Sequence, residues 1–185
     1  MITVRELRKG ITIELDDTLY QVLDVEHIKI GRGSAQVRLR LRDVRGGHTI
    51  DRTFQATAKF ARARIERQRV QYLYQDGDLS YFMNTETYDQ TPLNRNQVGD
   101  AALYLAENAS CDLLTYGDEP IGIEMPAAVE LTVAETDPGL KGDTAQGATK
   151  LAKLETGLTL QVPLFISSGD KLKVDTRSGE YLERA

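Results

Sequence analysis

One short segment of the sequence combines residue types that can contact phosphate. In HIKIGRGS, which starts at residue 27, two glycines flank an arginine. Glycine has no Cβ and permits positive φ, so the pair predicts a narrow hairpin tip, and the arginine would place a permanent charge with five donors at its end. We therefore expect a slim cationic tip that can enter a crevice. The residues of this predicted tip are Lys29, Gly31, Arg32, Gly33 and Ser34.

The next segment, AQVRLRLRD (35–43), alternates strictly between apolar and basic residues. Alternation with a period of two is typical of a strand with one buried face, here formed by valine and leucine side chains. The other face would carry Arg38, Arg40 and Arg42, repeating about every 6.6 Å at the rise of a strand. This basic stripe would extend positive charge away from the tip and favour contact with phosphate. An ordinary solvated strand face is the alternative.

Few side chains are of the kind that perform catalysis or bind metal. His27, His48 and Cys111 are the only imidazoles and the only thiol, and they lack the spacing of metal ligands. The Gly31–Gly33 segment lacks the third glycine and the following helix of a dinucleotide-binding loop, and no Walker A lysine is present. We therefore predict no catalytic residue, no metal site and no cofactor, and a protein that is not an enzyme.

Charge is distributed unevenly along the 185-residue chain. The formal net charge is −5, yet residues 1–64 contain 13 basic and 8 acidic side chains, whereas residues 65–128 contain 3 and 11. Lysine and arginine neutralise phosphates only where they are placed, so the basic first segment favours a phosphate-bearing partner despite the acidic total. Chance variation of charge between small domains is the alternative explanation.

Composition favours a soluble, cytoplasmic protein with a globular core. The hydrophobic share is 41%, and the single cysteine cannot close an internal disulfide. No run approaches the roughly 18 apolar residues of a membrane helix, and the charged first ten residues lack the apolar core of a signal peptide. We expect a monomer with no membrane partner.

Strand and turn patterns recur along the whole chain. ITIEL (11–15) alternates and leads through Asp16-Asp17 into TLYQVLDVE (18–26), and VQYLYQ and LSYFMN flank an Asp-Gly turn. CDLLTY and IGIEM, joined by GDEP, predict another hairpin. One short helix, AALYLAE, is expected to be capped by Asp100 and to end at Asn108.

These elements predict an all-β fold of three β-barrel modules. The segment MPAA, from Met125, is the expected linker before the last module, because proline removes a ladder donor and restricts the residue before it. The predicted domains are residues 1–64, 65–126 and 127–185. The polar stretch 136–150 predicts a long loop in the third.

A set of fixed spacings near the end of the chain carries a family resemblance. The matching residues are Lys150, Ala152, Gly157, Leu160, Val162, Pro163, Ile166 and Gly169. YLYQDGDLSYFMNTETYDQ (72–90), TDPGLKGDT (136–144) and VDTRSGEYLERA (174–185) match the same family. Together with the glycine–basic–glycine tip, they make the sequence similar to bacterial elongation factor P along its whole length.

The resemblance implies a KOW/SH3-like barrel followed by two OB-fold barrels, in an L shape similar to tRNA. It implies binding to the 70S ribosome and its rRNA between the peptidyl and exit tRNA sites, and relief of stalling at consecutive prolines. Arg32 would contact the CCA end of the peptidyl-tRNA, and the arginine stripe would face RNA. Gly142, Asp143 and Thr144 would lie near the exit-site codon of the small subunit.

Orientation is the mechanism that this resemblance and the chemistry of proline suggest together. Proline fixes φ and attacks through a constrained secondary amine, so a run of prolines favours unproductive geometry at the reaction centre. A factor that holds the tRNA end in attack geometry restores rate through orientation, a contribution that reaches about 7–11 kcal/mol in the best intramolecular cases. No acid, base or nucleophile of the factor is needed.

The chemical state of the tip is open. Relatives carry either a lysine extended by β-lysylation or an arginine that is rhamnosylated, so the resemblance implies a tip-modifying enzyme for Arg32. In the rhamnosylated branch an asparagine commonly follows the arginine, whereas Gly33 follows it here. The alternative is an unmodified guanidinium, which can already bind phosphate or stack on a base.

Two other functions remain as alternatives. A paralogous elongation-factor-P-like protein would share the ribosome site without rescuing proline stalls. A free single-strand RNA-binding protein would use its OB-type barrels, which commonly bind oligonucleotides.

Overall fold

The computed structural model describes residues 1–28, 35–138 and 148–185, and this part of the chain is built mainly of strands. The strands form three separate antiparallel sheets that follow one another along the chain. The all-β prediction with three β modules is therefore confirmed. No helix within the described ranges is long and apolar enough to cross a membrane.

The first sheet has six strands in the order β1-β6-β2-β3-β4-β5. They are β1 (Ile2–Thr3), β2 (Thr12–Leu15), β3 (Thr18–Ile28), β4 (Gln36–Asp43), β5 (Thr49–Gln55) and β6 (Lys59–Arg62). A short 3-10 helix, Val4–Glu6, follows β1. Asp16 and Asp17 both have positive φ between β2 and β3, as a two-residue hairpin turn requires, which confirms the turn predicted there.

The core of this sheet comes from the alternation that the sequence predicts. Val37, Leu39 and Leu41 of β4 are fully buried, and they pack in one cluster with Ile13 of β2 and Val22 of β3. Phe54 and Phe60 close the cluster in an edge-to-face contact, with 4.9 Å between their ring centroids. Burial of this apolar face fixes which face of β4 meets solvent.

The second sheet has five strands in the order β11-β10-β7-β8-β9. They are β7 (Ile65–Asp76), β8 (Leu79–Asn84), β9 (Gln90–Asn94), β10 (Ser110–Tyr116) and β11 (Glu119–Glu124). Asp76 pairs with Leu79 across the β7–β8 turn, where Gly77 has a φ of +58°, so the hairpin predicted at this Asp-Gly turn is confirmed.

The helical segment of the second module begins earlier than predicted. A single α-helical turn, α1 (Arg95–Val98), is followed by a 3-10 helix, Gly99–Tyr104. Asp100 therefore lies inside the 3-10 helix and does not cap it. The N-terminal partners are instead Asn94, whose Oδ1 accepts the Gln97 N–H at 3.0 Å, and Gln97, whose Oε1 accepts the Asn94 N–H at 2.9 Å. This reciprocal pair satisfies donors that the start of a helix leaves free.

The third sheet has five strands in the order β14-β13-β12-β15-β16. They are β12 (Ala128–Thr136), β13 (Thr149–Leu154), β14 (Thr159–Pro163), β15 (Lys171–Asp175) and β16 (Tyr181–Arg184). Leu131, Leu154, Ile166 and Leu172 lie at the centre of its buried core, against which Tyr104 packs. Of the polar stretch predicted as a loop (136–150), residues 139–147 lie outside the described residues. Its two ends correct the prediction, because Thr136 belongs to β12 and Thr149 and Lys150 belong to β13.

The chain divides into two compact units. One comprises Met1–Gln68, Leu93–Gln97 and Leu113–Gly122, and the other Arg69–Pro92, Val98–Asp112 and Ile123–Ala185. The ends of β10 and β11 around their connecting turn thus belong with the first sheet. The boundaries at residues 64/65 and 126/127 stay a prediction.

Candidate functional site

A long antiparallel hairpin formed by β3 and β4 carries the segment that could contact phosphate. Its last described pairs are His27 with Val37 and Ile28 with Gln36. The predicted tip residues fall between these strands, in positions 29–34, which lie outside the described residues. They are Lys29, Gly31, Arg32, Gly33 and Ser34. The proposed loop of the third module, Gly142-Asp143-Thr144, lies outside them as well.

The arginines of β4 share the face of the strand opposite the core. Arg38 and Arg40 are exposed and Arg42 is half-buried, while the apolar residues between them are fully buried. One face of β4 thus presents three guanidinium groups to solvent. Contact of this face with RNA stays a prediction.

Acidic side chains on the two neighbouring strands lie beside these arginines. Asp24 and Asp51 sit opposite Arg40 on either side, and Glu26 sits opposite Arg38. Arg38 Nη2 also donates to Asp51 Oδ2 at 3.0 Å, in a pair whose side chains are 51% and 45% exposed. Side chains directly opposite each other on neighbouring strands are close enough to interact, and opposite charges stabilise such a pair modestly.

These five side chains line an open groove of about 250 Å³ on the outer face of the hairpin. The groove contains two guanidinium groups and three carboxylates, so its formal charge is −1. The expectation of an uninterrupted positive stripe therefore needs correction: the arginines are aligned as predicted, but their charge is compensated locally. Attraction of a phosphate by this groove must act at short range, through guanidinium hydrogen bonds.

A β-bulge explains why the acidic residues were not predicted to share this face. The pairing of β3 with β4 shifts register between Val22 and Asp24. Val22 is buried opposite Leu41, and regular alternation would turn Asp24 toward the same core. The extra residue, Leu23, instead places Asp24 and Glu26 on the solvent face. Of the three carboxylates, alternation could have placed only Asp51 on this face. Strand β5 is regular, so Asp51 lies on the same side as Thr49, two residues before it.

The side chains considered for catalysis are separated in the structure. His27 is exposed on β3, and His48 Nδ1 lies 3.7 Å from Asp43 Oδ2 in the β4–β5 turn. Cys111 is fully buried on β10, and burial raises the pKa of its thiol to about 12, which disfavours the nucleophilic thiolate. Within ranges 1–28, 35–138 and 148–185, no three His, Cys, Asp or Glu side chains form a group that could hold a metal ion.

Family models match nearly the whole chain. Residues 3–60 match the model described as "Elongation factor P (EF-P) KOW-like domain", and residues 65–123 match "Elongation factor P (EF-P) OB domain". Residues 129–184 match "Elongation factor P, C-terminal". The fold and these matches define a multidomain all-β translation factor with a KOW-like domain at its N-terminal end.

Relatives at high identity identify the family. The chain is 54% identical over 185 residues to elongation factor P of Moorella thermoacetica, and 52% identical over 184 residues to elongation factor P of a Thermoanaerobacter species. Each alignment covers 100% of both chains. The chain belongs to the elongation factor P family.

A solved structure shares the fold at low sequence identity. Eukaryotic translation initiation factor 5A from Methanococcus jannaschii superposes with a TM-score of 0.50 at 18% identity, covering 68% of this chain and 90% of that one. The likeness covers part of this chain and concerns the fold alone.

Proposed function

We propose that this protein is an elongation factor that binds the ribosome between the peptidyl and exit tRNA sites and promotes peptide-bond formation at consecutive prolines. The observation that carries the proposal is the match to elongation factor P relatives over 100% of their length, at up to 54% identity. The partners are then the 70S ribosome, its rRNA and the peptidyl-tRNA, and the place of action is the cytoplasm.

The geometry of the first sheet supports an orienting role for this factor. The tip segment connects β3 and β4, strands of 11 and 8 residues whose inner face includes the fully buried Val22, Val37 and Leu39. A stiff support of this kind favours a group that positions another molecule over one that reacts. Arg32 would hold the CCA end of the peptidyl-tRNA so that the proline nitrogen attacks in productive geometry, and the ribosome would perform the chemistry.

The arginine face of β4 would contact RNA at close range in the bound state. Arg38, Arg40 and Arg42 each offer a planar fork that suits a phosphate, but two of them have carboxylate neighbours. Because exchange of an exposed carboxylate for a phosphate costs little, these pairs do not prevent RNA binding. They would instead reject contacts that do not bring a phosphate within hydrogen-bonding distance.

The third module would provide a second contact. By similarity to the family, Gly142, Asp143 and Thr144 would lie near the exit-site codon on the small subunit. The joint change Asp143→Ala and Thr144→Ala should then weaken ribosome binding while leaving proline rescue unchanged at saturating factor.

Reconstituted translation of a template with a proline run tests the proposal. Adding the protein should relieve the stall, and Arg32→Ala should slow proline-run synthesis by roughly tenfold or more, since small losses of alignment are costly in rate. Ribosome binding should weaken much less than the rate falls. Arg8→Ala is the matched control because it removes one exposed arginine from the same unit.

Three outcomes contradict parts of this proposal. A stall unchanged by the protein, with intact ribosome binding, would identify a paralogue without proline rescue. Tight, salt-sensitive binding to naked RNA without affinity for ribosomes would identify a free RNA-binding protein. Equal losses of binding and rate in Arg32→Ala would contradict the division between an orienting tip and area-providing barrels.

The chemical state of Arg32 needs a separate measurement. Intact mass of the protein purified from its own cells distinguishes a bare guanidinium from one extended by a modifying enzyme. If the mass equals that of the sequence, the unmodified arginine performs the orienting role alone.

A further inference from the structure

A bidentate ion pair joins the first sheet to the hairpin formed by β10 and β11. Arg45 Nε donates to Glu119 Oε1 at 2.8 Å, and Arg45 Nη2 donates to Glu119 Oε2 at 2.7 Å. The two residues are 74 positions apart, in the β4–β5 turn and at the start of β11. Both belong to the same compact unit. A fork of two parallel hydrogen bonds fixes orientation as well as distance.

The turn that carries Arg45 is held rigid from within. Asp43 Oδ1 accepts the backbone N–H groups of Arg45 and Gly46, both at 2.7 Å, and the Asp43 carbonyl accepts the Gly47 N–H at 2.9 Å. Gly47 has a φ of +74°, so the turn depends on this glycine, whereas a Cβ at position 46 would lie 2.9 Å from the exposed His48 side chain and would displace it. The guanidinium therefore starts from a fixed backbone.

The opposite side of the pair is fixed as well. The residue after Glu119, Pro120, accepts a hydrogen bond on its carbonyl from Gln97 Nε2 at 2.7 Å. The fork lowers the pKa of Glu119 and raises that of Arg45, because each hydrogen bond favours the charged form of both partners. The pair is thus charged on both sides at any pH near neutrality.

An apolar cluster lies beneath this pair. Leu19, Ala63 and Ile121 are its buried members, and Val44 and Leu114 are partly buried against them. Burial of apolar surface has no preferred direction, so this cluster holds the hairpin against the first sheet, and hydrogen bonds define its orientation more sharply. Tyr116 Oη adds a longer contact to Glu14 Oε2 at 3.5 Å. Of these two described side-chain contacts between the first sheet and the hairpin, the Arg45–Glu119 fork is the shorter.

We propose that Arg45 and Glu119 are positioning residues. Their ion pair makes the first sheet and the β10–β11 hairpin move as one body, and so fixes the direction in which the β3–β4 hairpin points. This inference rests on the proposed function, because the direction of that hairpin matters only if its tip orients a tRNA end. Among the described residues, the five side chains that line the groove do not hydrogen-bond to this pair, so its effect on rate is indirect.

The test compares Arg45→Glu, Glu119→Arg and the doubly substituted chain, which exchanges the two charges. In reconstituted translation of a proline run, each single variant should lower the maximal rate at saturating factor about fivefold. The expected loss is moderate because the two side chains are about half exposed, and an exposed ion pair contributes only a modest free energy to the structure it holds. The half-saturating concentration should change by less than about twofold. The charge exchange should restore the maximal rate to within about twofold of the original chain.

Lys173→Glu is the matched control. Lys173 Nζ lies 2.8 Å from Glu183 Oε1, and the Lys173 side chain is 44% exposed, as is that of Arg45. This pair joins neighbouring strands of one sheet, β15 and β16, so its loss should leave the maximal rate unchanged. Thermal unfolding of every variant checks that the chains stay folded at the assay temperature.

A distance measurement without ribosomes keeps the outcomes separate. Spin labels on Lys59→Cys and Asp118→Cys report on the first sheet and the β10–β11 turn, and the buried Cys111 should stay unlabelled. We expect one narrow distance distribution in the original chain, a broad one in each single variant and a narrow one after the charge exchange.

Narrow distributions in both single variants would overturn the inference, as would full maximal rates or a loss that the charge exchange does not restore. The two proposals can also fail separately. If the distance distribution is narrow in the original chain and broad in the single variants, but the protein leaves proline stalls unchanged, the positioning role of the Arg45–Glu119 pair is retained and the proposed function is rejected.

Discussion

Removal of one carboxylate from the hairpin groove should strengthen binding to ribosomes. Asp51 is the carboxylate that bonds Arg38 at 3.0 Å and sits opposite Arg40. Asp51→Asn keeps the shape of the side chain and brings the formal charge of the groove from −1 to zero. Because both side chains of the pair are about half exposed, its loss should cost only roughly 0.2–1 kcal/mol of folding free energy.

The expected gain follows from counterion release. Asp51 competes with phosphate for the Arg38 guanidinium, while Glu26 stays opposite it, so the variant should neutralise up to one more phosphate and the slope of log K against log salt should steepen by up to roughly 0.7–0.9. Between 50 and 200 mM salt, a fourfold range, that steepening corresponds to roughly a threefold change in affinity. Binding of the variant should therefore exceed that of the original chain most clearly at low salt.

Titration of fluorescent factor onto ribosomes at several salt concentrations measures the slope of log K against log salt for the original chain and for Asp51→Asn. Glu183→Gln is the control, because it also removes one carboxylate from an exposed ion pair and changes the formal net charge from −5 to −4. If the two variants have the same slope, the effect belongs to total charge and the reasoning about the groove is wrong. Weaker binding of Asp51→Asn would refute it more directly.

Two further predictions concern titratable groups. Hydrogen bonds from the N–H groups of Ser178 and Arg177 hold the pKa of Asp175 in the folded chain below its ordinary 3.8. The ionised carboxylate therefore stabilises the folded chain above pH 3.8, and this stabilisation is lost as the pH falls through the pKa of the folded state. Melting temperatures of the original chain and Asp175→Asn should differ at neutral pH and converge below pH 3.8. For Cys111, burial raises the pKa from 9.0 to about 12, so alkylation by iodoacetamide at pH 8 should be on the order of a thousandfold slower in the folded chain than in urea. Equal rates would place the thiol at the surface.

Alternation predicted the arginine face of β4 but not its electrostatics. Val37, Leu39 and Leu41 are buried without interruption, so the opposite face follows from the pleat alone. The charge that this face presents depends on β3, where the bulge at Leu23 reverses the side of every later residue. Periodicity cannot locate a bulge, because the extra residue is set by twist and packing of the sheet.

The start of the short helix was mispredicted for a local reason. Asp100 is a good capping residue, and it precedes an apolar run, so the pattern favoured it. Asn94 and Gln97 form a better start because each side chain accepts the backbone N–H of the other. The spacing of three between an Asn and a Gln was the available signal.

The Arg45–Glu119 pair could not be found from the sequence at all. Arginine in a glycine turn and glutamate in a turn between strands both read as solvated loop residues. Their meeting depends on the way in which Ile121 and Leu19 pack in one apolar cluster, a long-range contact with no periodic signature. Sequence patterns predict faces of single elements well, whereas pairs between distant turns require the packed structure.

Three arginines of the first unit share one property that bears on the proposed mechanism. Arg38, Arg45 and Arg52 all donate to carboxylates at 2.7–3.0 Å, and their partners come from other strands or turns. Paired charges attract little at a distance, because the fields of the partners cancel beyond a few ångströms. Contacts of these three arginines with RNA therefore gain little from attraction at a distance and more from replacement of a carboxylate at a defined position. A factor that accelerates a reaction by orientation needs that selectivity, since a tightly held but misaligned complex gives no increase in rate.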